Sequence, residues 1–496
     1  MKGTNNKDNR TGIDSGNGQQ DDVSKQEQTP RLHVKLLSHK YFKFGIIAFL
    51  YLLWTYWVGS WWLLLGVPIL FDLYVSKKVN WTFWKKREGP NNKIVEWLDA
   101  LIFAVIAVTL INIFLFQNYK IPTGSMEKTL QIGDHLFVSK LKYGPKIPNT
   151  PLSFPFAQHT MPLTTNTKSY VEWIKWPYKR LTGFTHIKND DIVVFNFPEG
   201  DTVLVIDQAR SYYMIVRNQA ERLRDNDRYT NNAPRDFEYY VNQARKHIVN
   251  NYDITVRPVD KRDNYIKRCI AVAGDTLQIK KTQIYINGKP QEKLPNIQFR
   301  YVIQTDGSRI NPRTLEKLKI YKSDLIDLGN GAFETPLIAS NVEEISKMAN
   351  VLSVQKRVKT PDNYESDVFP HNELYPWNLD NLGPLWIPKK DVTIKINVNN
   401  ICFYERIITA YEGNELIISG NEIFINGIKT DEYTFKMDYY WMMGDNRHDS
   451  LDSRYWGFVP QDHIVGAPRF VWLALNKEKG FPANIQFSRM FRPAGR

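Results

Sequence analysis

Two short motifs contain residues that could act together as a nucleophile and its base. Ser125 lies in the motif 122–126, PTGSM, and Lys267 lies in the motif 265–268, YIKR. A serine hydroxyl is a weak nucleophile near neutral pH and needs a base. A lysine can serve as that base only when it is neutral, which requires burial because its usual pKa is about 10.4. The two motifs therefore suggest hydrolytic chemistry with a lysine base.

The lysine motif has the pattern of a buried strand. Residues 265–272 read YIKRCIAV, and successive side chains on a strand point to opposite faces. Lys267 can therefore face an apolar site while Arg268 turns away. The alternative is an ordinary edge-strand lysine that faces water.

The serine motif has the pattern of a tight turn. Pro122 and Gly124 should leave the hydroxyl and backbone N–H of Ser125 exposed, and Thr123 places a second donor nearby. An oxyanion needs two convergent donors, and losing one costs about 2.7–4 kcal/mol. The alternative is a loop serine without a chemical role.

The composition excludes several classes of protein. The 496 residues allow two or three domains, and 43% hydrophobic with 24% charged residues is typical neither of a disordered chain nor of a pure membrane bundle. The net charge of +13 is spread along the chain, so we expect no nucleic-acid partner. Neither the histidines nor Cys269 and Cys402 have a metal-ligand spacing, so no metal or other cofactor is predicted. Two buried free thiols are favoured over one disulfide.

An apolar region near the N-terminus indicates a membrane anchor. Between Lys43 and Lys77 the only ionisable acid or base is Asp72, and Gly59-Ser60 interrupts the run. The run is too long for one untilted helix and short for two full spans. We interpret it as a hairpin with spans at about 44–59 and 61–75; a single long tilted span is the alternative.

A third span is predicted at 98–118, because no charge falls between Asp99 and Lys120. A buried core helix is the alternative. The loop 76–96 is rich in lysine and arginine, so it should be cytoplasmic and the chain after Lys120 should lie on the outer side. Residues 1–40 are then a cytoplasmic N-terminus, and the polar stretch 1–30 is expected to be disordered.

After the anchor the chain reads mostly as short strands. Apolar and polar side chains alternate in residues 276–286 and 415–425, and an Asn-Gly pair directly follows each range. This combination is a strong hairpin signal. We interpret the two as similar hairpins in one sheet. Residues 208–261 and 291–399 interrupt this pattern, with a helix expected around 341–350. We therefore predict five parts of the chain: an N-terminus (1–40), a membrane anchor (41–119), a catalytic β domain (120–207, 262–290 and 400–475), an inserted capping subdomain (208–261 and 291–399) and an irregular tail (476–496).

Together the motifs resemble those of the bacterial type I signal peptidases, or leader peptidases, the Ser/Lys proteases that remove secretory signal peptides. The family's serine box, P-[ST]-G-S-M-x-P-T-L, is similar to residues 122–130, and its next box to 191–195. Its lysine box resembles 265–268 followed by Gly274-Asp275, and its last box, GDNRxxSxDSRYWG, matches 444–457. The resemblance covers roughly four ranges: 97–145, 186–207, 262–290 and 400–475.

The resemblance implies a mainly β fold, namely a signal-peptidase-like β-barrel catalytic domain with an inserted α+β capping subdomain and N-terminal transmembrane helices. The chain also departs from the family pattern. Lys128 stands where the family has proline, Asp190 where it has glycine, and Ala271 and Ala273 where it has glycine and proline. None of these changes removes a proposed catalytic group, but they could alter the loops around the site.

The resemblance also implies roles for individual residues. Ser125 is the nucleophile that forms an acyl-enzyme, and Lys267 is the general base that later protonates the leaving amine. The N–H of Ser125 and the hydroxyl of Thr123 form the oxyanion hole, and Ser450 forms a hydrogen bond with Lys267 that holds it in place. Two supporting ion pairs are implied, Asp445 with Arg268 and Asp452 with Arg454. Surface salt bridges are the alternative for these four residues.

The implied substrates are preproteins with signal peptides, cut after small residues in an Ala-x-Ala pattern. The implied location is the cytoplasmic (inner) membrane, with several spans and the catalytic domain on the outer or periplasmic side. The lipid bilayer is a second partner. Trp441 or Trp456 could reach into it, although buried barrel aromatics are favoured. The insertions could bind the secretion translocon or only cover the barrel.

Two other readings of the sequence remain. A soluble self-cleaving repressor also uses a Ser/Lys dyad on a similar fold, but the apolar anchor argues against it. A membrane-anchored scaffold with an inactive protease fold is the second reading. The presence of Ser125, Lys267 and Ser450 argues against that one.

Overall fold

The computed structural model describes residues 39–81, 83, 92–230, 233, 235–292, 294–476 and 480–495. They belong to two compact units, one up to Asn91 and one from Asn92 to Arg496. The predicted disordered stretch 1–30 and part of the predicted loop 76–96 lie outside the described residues. The helices have the following bounds: Lys40–Val58, Gly66–Phe71, Lys93–Phe114, Tyr212–Tyr229, Phe237–Asn251, Pro312–Lys317, Ala339–Ser346, Ile401–Arg406 and Ser453–Trp456.

The first unit is an apolar helical segment with a break at the predicted position. Its first helix ends at Gly59, whose φ of 64° is left-handed and whose N–H bonds to the carbonyls of Thr55 and Tyr56. A 3-10 turn, the Gly66–Phe71 helix and a π turn follow, together forming a shorter apolar helix over Trp61–Ser76.

Asp72, the one acid of this apolar segment, accepts hydrogen bonds from residues at the segment's C-terminal end and just after it. Its carboxylate accepts hydrogen bonds from Ser76 Oγ at 2.5 Å and from the Trp81 indole at 2.8 Å. It also accepts the backbone N–H groups of Lys78 and Val79 at 3.0 and 3.1 Å. An acid in an apolar run is therefore fully hydrogen-bonded, as a buried carboxylate must be.

The second unit begins with an apolar helix whose bounds differ from the prediction. The helix runs over Lys93–Phe114 instead of 98–118, and the Asn92 side chain caps it by accepting the Ile94 N–H at 3.1 Å. Its end was predicted too late because the uncharged run continues into a strand, Phe116–Lys120, that pairs with 134–139. Among the described helices, this one and Lys40–Val58 are long and apolar enough to cross a membrane.

The described chain is mostly β. The strands are β1 Phe116–Lys120, β2 Asp134–Ser139, β3 Ile192–Asn196, β4 Thr202–Leu204, β5 Ile254–Val256, β6 Asn264–Ala271, β7 Thr276–Lys280, β8 Gln283–Ile286, β9 Lys289–Pro290, β10 Phe299–Thr305, β11 Ile326–Gly329, β12 Ala332–Leu337, β13 Val351–Lys356, β14 Leu382–Trp386, β15 Thr393–Lys395, β16 Leu416–Ser419, β17 Glu422–Ile425, β18 Ile428–Lys429, β19 Glu432–Thr434, β20 Tyr439–Met443, β21 Val459–Pro460 and β22 Ile464–Ala474. The largest sheet has seven strands in the order β1-β2-β22-β3-β6-β20-β21 and curls into a half-barrel. The expected mainly β, signal-peptidase-like fold is confirmed.

The two predicted hairpins are three-stranded and lie in different sheets, so their assignment to one sheet was wrong. β7, β8 and β9 join β14, whereas β16, β17 and β18 form a separate sheet. Each predicted strand, 276–286 and 415–425, is itself folded by an extra turn before the Asn-Gly turn. Both modules contribute side chains to one hydrophobic core cluster, which explains their similar patterns.

The interrupting regions contain the expected mixture of helix and strand. Residues 208–261 form the Tyr212–Tyr229 and Phe237–Asn251 helices, and 291–356 form a four-stranded sheet, β11-β12-β10-β13, hereafter the inserted sheet. The helix expected around 341–350 spans Ala339–Ser346. The C-terminal part of the predicted insertion does not belong to the inserted sheet, because β14 pairs with β7 and β15 pairs with β19. That part of 291–399 therefore packs with the hairpin modules.

Several single residues resolve open points. Trp441 and Trp456 are 0% and 3% exposed, so they are core aromatics and do not reach lipid. Cys269 is a buried free thiol and Cys402 a half-buried free thiol. In the tail, Arg489 is buried and donates to the buried carboxylate of Asp134 at 2.6 Å, a contact that the sequence did not suggest.

Candidate active site

Ser125 lies in a 3-10 turn, Gly124–Met126, which is held in place by the buried side chain of Met126. Met126 is fully buried in the core beneath the half-barrel sheet, and Ser125 is 7% exposed. The Ser125 carbonyl accepts the backbone N–H of Asn446 at 3.0 Å. The serine motif is thus fixed by the core on one side and by the last motif on the other.

Lys267 reaches this serine from the middle of the half-barrel sheet. Its strand, β6, lies between β3 and β20, and Lys267 pairs with the fully buried Val193. The side chain is 2% exposed, and its Nζ lies 2.5 Å from Ser125 Oγ. The alternative of a water-facing edge lysine does not hold. The two atoms are within hydrogen-bond distance, as proton transfer from the hydroxyl to a neutral amine requires.

Burial also changes the basicity of this lysine. Loss of hydration lowers the pKa of Lys267 from 10.5 to about 8, whereas the carboxylates of Asp452 and Asp445 act in the opposite direction. Desolvation disfavours the charged form of an amine, which is why it dominates here. At pH 7 about one lysine in ten is then neutral, enough to act as a base.

The first supporting ion pair is buried and connects three motifs. Arg268 donates from Nε and Nη2 to the two oxygens of Asp445, at 2.8 and 2.6 Å. Thr129 Oγ1 donates to the same carboxylate at 2.6 Å. Because Asp445 is 0% exposed, this pair is part of the interior and is not a surface salt bridge.

The second ion pair shapes the loop of the last motif. Arg454 donates from Nε and Nη2 to Asp452 at 2.9 and 2.8 Å, and the same carboxylate accepts the Gly444 N–H at 3.0 Å. Arg454 Nη2 also donates to the Arg447 carbonyl at 2.5 Å. Both side chains of the pair are almost completely buried, so the surface alternative is wrong here too.

Ser450 does not make the bond expected of it. Its hydroxyl is buried but has no hydrogen-bond partner among the described residues, and the Lys267 ammonium is directed at Ser125 instead. Ser450 packs over Gly444, where a Cβ would lie 2.2 Å from Ser450 Oγ and 2.6 Å from the Ser125 carbonyl oxygen. Its position beside the serine motif agrees with the expectation, but its hydrogen bond to Lys267 does not.

Thr123, Ser125 and Lys267 line one cavity of about 520 Å³. The sequence placed these three together, but it did not indicate the opposite wall. That part of the lining consists of residues from the inserted sheet and from the segment between its strands β10 and β11: Arg300, Tyr321, Ser323, Asp324, Ile326 and Pro336. No motif marks them, because they come from a region whose function could not be read.

Contacts from the inserted sheet hold the last motif in place. The Gln298 N–H donates to the Asp445 carbonyl, and the Arg447 N–H donates back to Gln298, both at 2.9 Å. Arg300 donates to Asp449 Oδ1 at 2.9 and 2.6 Å. The region that was taken for a cover thus shapes the catalytic loop directly.

Two departures from the family motifs have a backbone explanation. Lys128 has a φ of 71°, which proline cannot adopt, and its Nζ donates to the Lys319 carbonyl at 2.5 Å. Asp190 has a φ of 70°, which suits the glycine found there in the family. Its side chain accepts a hydrogen bond from Gln291 at 2.7 Å. Both residues therefore link a motif loop to residues 291–399.

The described residues include no group of three or more histidine, cysteine, aspartate or glutamate side chains that could hold a metal ion. The site chemistry described above needs only a nucleophile, a base and hydrogen-bond donors.

Comparison with known proteins agrees with this geometry. The family model described as "Signal peptidase, peptidase S26" matches residues 94–323 and 388–473, more than half of the chain. The match includes 208–261 and 291–323, so the likeness extends further than the motifs alone indicated. The chain is 23% identical to a signal peptidase I of Buchnera aphidicola (from Schizaphis graminum) over 453 residues, covering 88% of this chain and 95% of that protein. It is 24% identical to a signal peptidase I of Haemophilus influenzae over 408 residues, covering 82% and 78%.

Proposed function

Since this chain belongs to the signal peptidase family, peptidase S26, and is a membrane-associated serine endopeptidase that removes signal peptides from preproteins, we propose that Ser125 and Lys267 carry out its reaction. The observation that carries this assignment is the 2.5 Å approach of a buried lysine amine to the Ser125 hydroxyl. No observation favours the inactive scaffold, and the apolar helices do not fit a soluble repressor.

The proposed reaction begins with attack on the scissile carbonyl. Ser125 Oγ forms the new C–O bond while neutral Lys267 takes the hydroxyl proton. The N–H of Ser125 and the hydroxyl of Thr123, which line the same cavity, donate to the oxyanion. When the C–N bond breaks, Lys267 returns its proton to the leaving amine and an acyl-enzyme remains.

Hydrolysis of this ester completes the cycle. Lys267, neutral again, takes a proton from a water molecule that attacks the acyl carbon. The C–O bond to Ser125 then breaks and the proton returns to the serine oxygen. The signal peptide leaves with a new carboxylate, and the mature protein has already left with a new amino terminus. We expect cleavage after small residues in an Ala-x-Ala pattern.

The cleavage rate should depend on the fraction of Lys267 that is deprotonated. Because only the neutral amine can act as the base, and burial lowers its pKa to about 8, kcat/KM should rise with pH through about 8 and then level off. The measurement is kcat/KM for a preprotein from pH 6 to 10 in detergent. A midpoint near 6, typical of histidine, or a flat profile would contradict the assignment.

We further propose that Lys40–Val58 and Trp61–Ser76 cross the cytoplasmic membrane as a hairpin and that Lys93–Phe114 crosses it once more. Residues 1–40 and 76–96 would then be cytoplasmic, and residues after Lys120 would lie on the outer side. The positive residues of 76–96 support this orientation. Protease added outside spheroplasts should digest the catalytic domain; complete protection of that domain would exclude this topology. The secretion translocon stays a candidate partner, and the insertions are the part of the chain that could contact it.

A further inference from the structure

A second cavity, of about 560 Å³, lies where the Lys93–Phe114 helix meets the β domain. The helix contributes Val108, Thr109, Asn112 and Ile113 from its last turns. The rest of the lining comes from β1, from the segment after β2, from the loop 148–158 and from residues near β6. This cavity shares no lining residue with the catalytic cleft.

The inner wall of the cavity is cationic. Lys140, Lys146 and Lys261 all line it. Lys146 donates to the Asn196 side chain and to the Asp462 carbonyl, both at 3.0 Å. Lys261 is 7% exposed, so its charge is held inside the wall.

Lys140 is the unusual member of this group. It is half-buried, and among the described residues no hydrogen bond or ion pair involves its ammonium group. Burial and the nearby charges of Lys146 and Arg180 lower the pKa of Lys140 to about 7. Burial without a partner thus disfavours the charged form of this amine, and an anion beside it would favour that form again.

No acidic side chain of the described lining pairs with Lys140. Among the described lining residues, the one acid is Asp260, whose Oδ2 accepts the N–H and hydroxyl of Thr150 at 3.0 and 2.8 Å. Its negative charge acts on Lys146 and Lys261 and is not among the charges that act on the pKa of Lys140. Three lysines therefore face one carboxylate in the described lining, so an excess of positive charge remains and Lys140 is the lysine without an acidic neighbour.

The mouth of the cavity is apolar. Phe154 and Phe156, which line it, are 47% and 76% exposed, and Val108 and Ile113 face it from the helix. A ligand would therefore meet hydrocarbon at the mouth and ammonium groups inside. At the end of a helix long enough to cross a bilayer, this is the level of the lipid headgroups.

We propose that this cavity binds the headgroup of an anionic phospholipid, with Lys140 and Lys146 beside the phosphate and Phe154 and Phe156 beside the upper acyl chains. The inference rests on the proposed crossing of the membrane by the Lys93–Phe114 helix. A zwitterionic lipid is disfavoured, because its added positive group would meet three lysines.

The test is lipid retention by the full-length protein, purified in detergent and supplied with equal amounts of phosphatidylglycerol and phosphatidylcholine of the same acyl chains. Native mass spectrometry should show phosphatidylglycerol retained in preference. Lys140→Gln should lower that retention at least fivefold, and Lys140→Arg should largely keep it. Lys395→Gln, at an exposed lysine of β15, is the matched control and should retain lipid as the wild type does.

Thermal unfolding separates binding from a structural role. Without lipid, Lys140→Gln should be at least as stable as the wild type, because it removes an amine that is withdrawn from water without a partner. Added phosphatidylglycerol should raise the Tm of the wild type but not that of the variant. If Lys140→Gln fails to fold, Lys140→Met, which has a similar length but no charge, takes its place in both measurements.

Three outcomes would overturn the proposal. They are equal retention of the two lipids by the wild type, unchanged retention by Lys140→Gln, and displacement of phosphatidylglycerol by millimolar inorganic phosphate, which would mark a site for free anions. Preprotein cleavage in lipid-free detergent is measured in parallel and should be the same for wild type and Lys140→Gln. A failure of the catalytic assignment would appear there and not in lipid retention.

Discussion

Lys267→Met is expected to lower kcat/KM for a preprotein by at least about 10³-fold, the upper part of the range for loss of a general base. Methionine fills a similar volume but has no amine to accept the proton of Ser125, which lies 2.5 Å from Lys267 Nζ. The fold should survive, because an apolar side chain replaces a buried cation at a site that is 2% exposed. The measurement is cleavage by solubilised enzyme, with the Tm as a check on folding.

A second variant separates the base from a fixed positive charge. Lys267→Arg keeps a cation in the site but cannot lose its proton near neutral pH, so it should be as inactive as Lys267→Met. Lys395→Met, at an exposed lysine, should cleave at the wild-type rate. Appreciable activity of Lys267→Arg would mean that the lysine stabilises charge and that another group is the base.

Arg454→Met should destabilise the protein by about 3–5 kcal/mol, the cost of leaving one partner of a buried ion pair without the other. The Asp452 carboxylate is 0% exposed, and it would lose two hydrogen bonds from Arg454. The measurement is the free energy of unfolding by denaturant for the full chain in detergent. Glu343→Gln removes a carboxylate from the exposed Glu343–Lys347 pair and should leave stability unchanged.

The pH dependence of that loss has a definite sign. In the wild type the charge of Arg454 helps hold the pKa of Asp452 below its usual value. That pair therefore contributes stability above the unfolded-state pKa and loses it as pH falls through the folded one. Without the arginine, burial raises the Asp452 pKa, so the stability gap between wild type and variant should narrow towards acid pH. A gap that widens would contradict the role assigned to this pair.

The proximity of Ser125 and Lys267, the proposed catalytic pair, was predictable from the sequence because both residues lie in short motifs with distinct chemistry. Residues 122–126 and 265–268 correctly placed Ser125 beside a buried Lys267, and the last motif supplied Asp445 for Arg268. These contacts lie at fixed positions of a turn and a strand. The expected hydrogen bond from Ser450 to Lys267 is absent among the described residues, because it depends on a side-chain direction that the motif does not fix.

The hairpin modules show where local patterns were insufficient. The first extra turn falls at Lys281-Thr282, where φ is 45° and 70°. Lysine and threonine rarely adopt a positive φ, so nothing in the sequence marked this turn and 276–286 was interpreted as one strand. The Asn287-Gly288 turn was found because both residue types favour such angles.

The wall of the cleft was missed for a different reason. Arg300 and Tyr321 reach the cavity of Ser125 through the pairing of the inserted sheet with the last motif, a long-range contact without a periodic signal. Lys128 likewise finds its partner, the Lys319 carbonyl, far along the chain. Local propensity does not encode contacts of this kind, so the role of the inserted sheet emerges only from the fold.

The most direct test of the proposed Ser125–Lys267 reaction is cleavage of a preprotein with an Ala-x-Ala site by wild type and by Ser125→Ala, with the new amino terminus sequenced. Ser346→Ala, at an exposed serine, is the matched control. We predict that wild type and Ser346→Ala release a mature protein that begins immediately after the second alanine, and that Ser125→Ala releases none. Cleavage at the same bond by folded Ser125→Ala would contradict the assignment of Ser125 as the nucleophile.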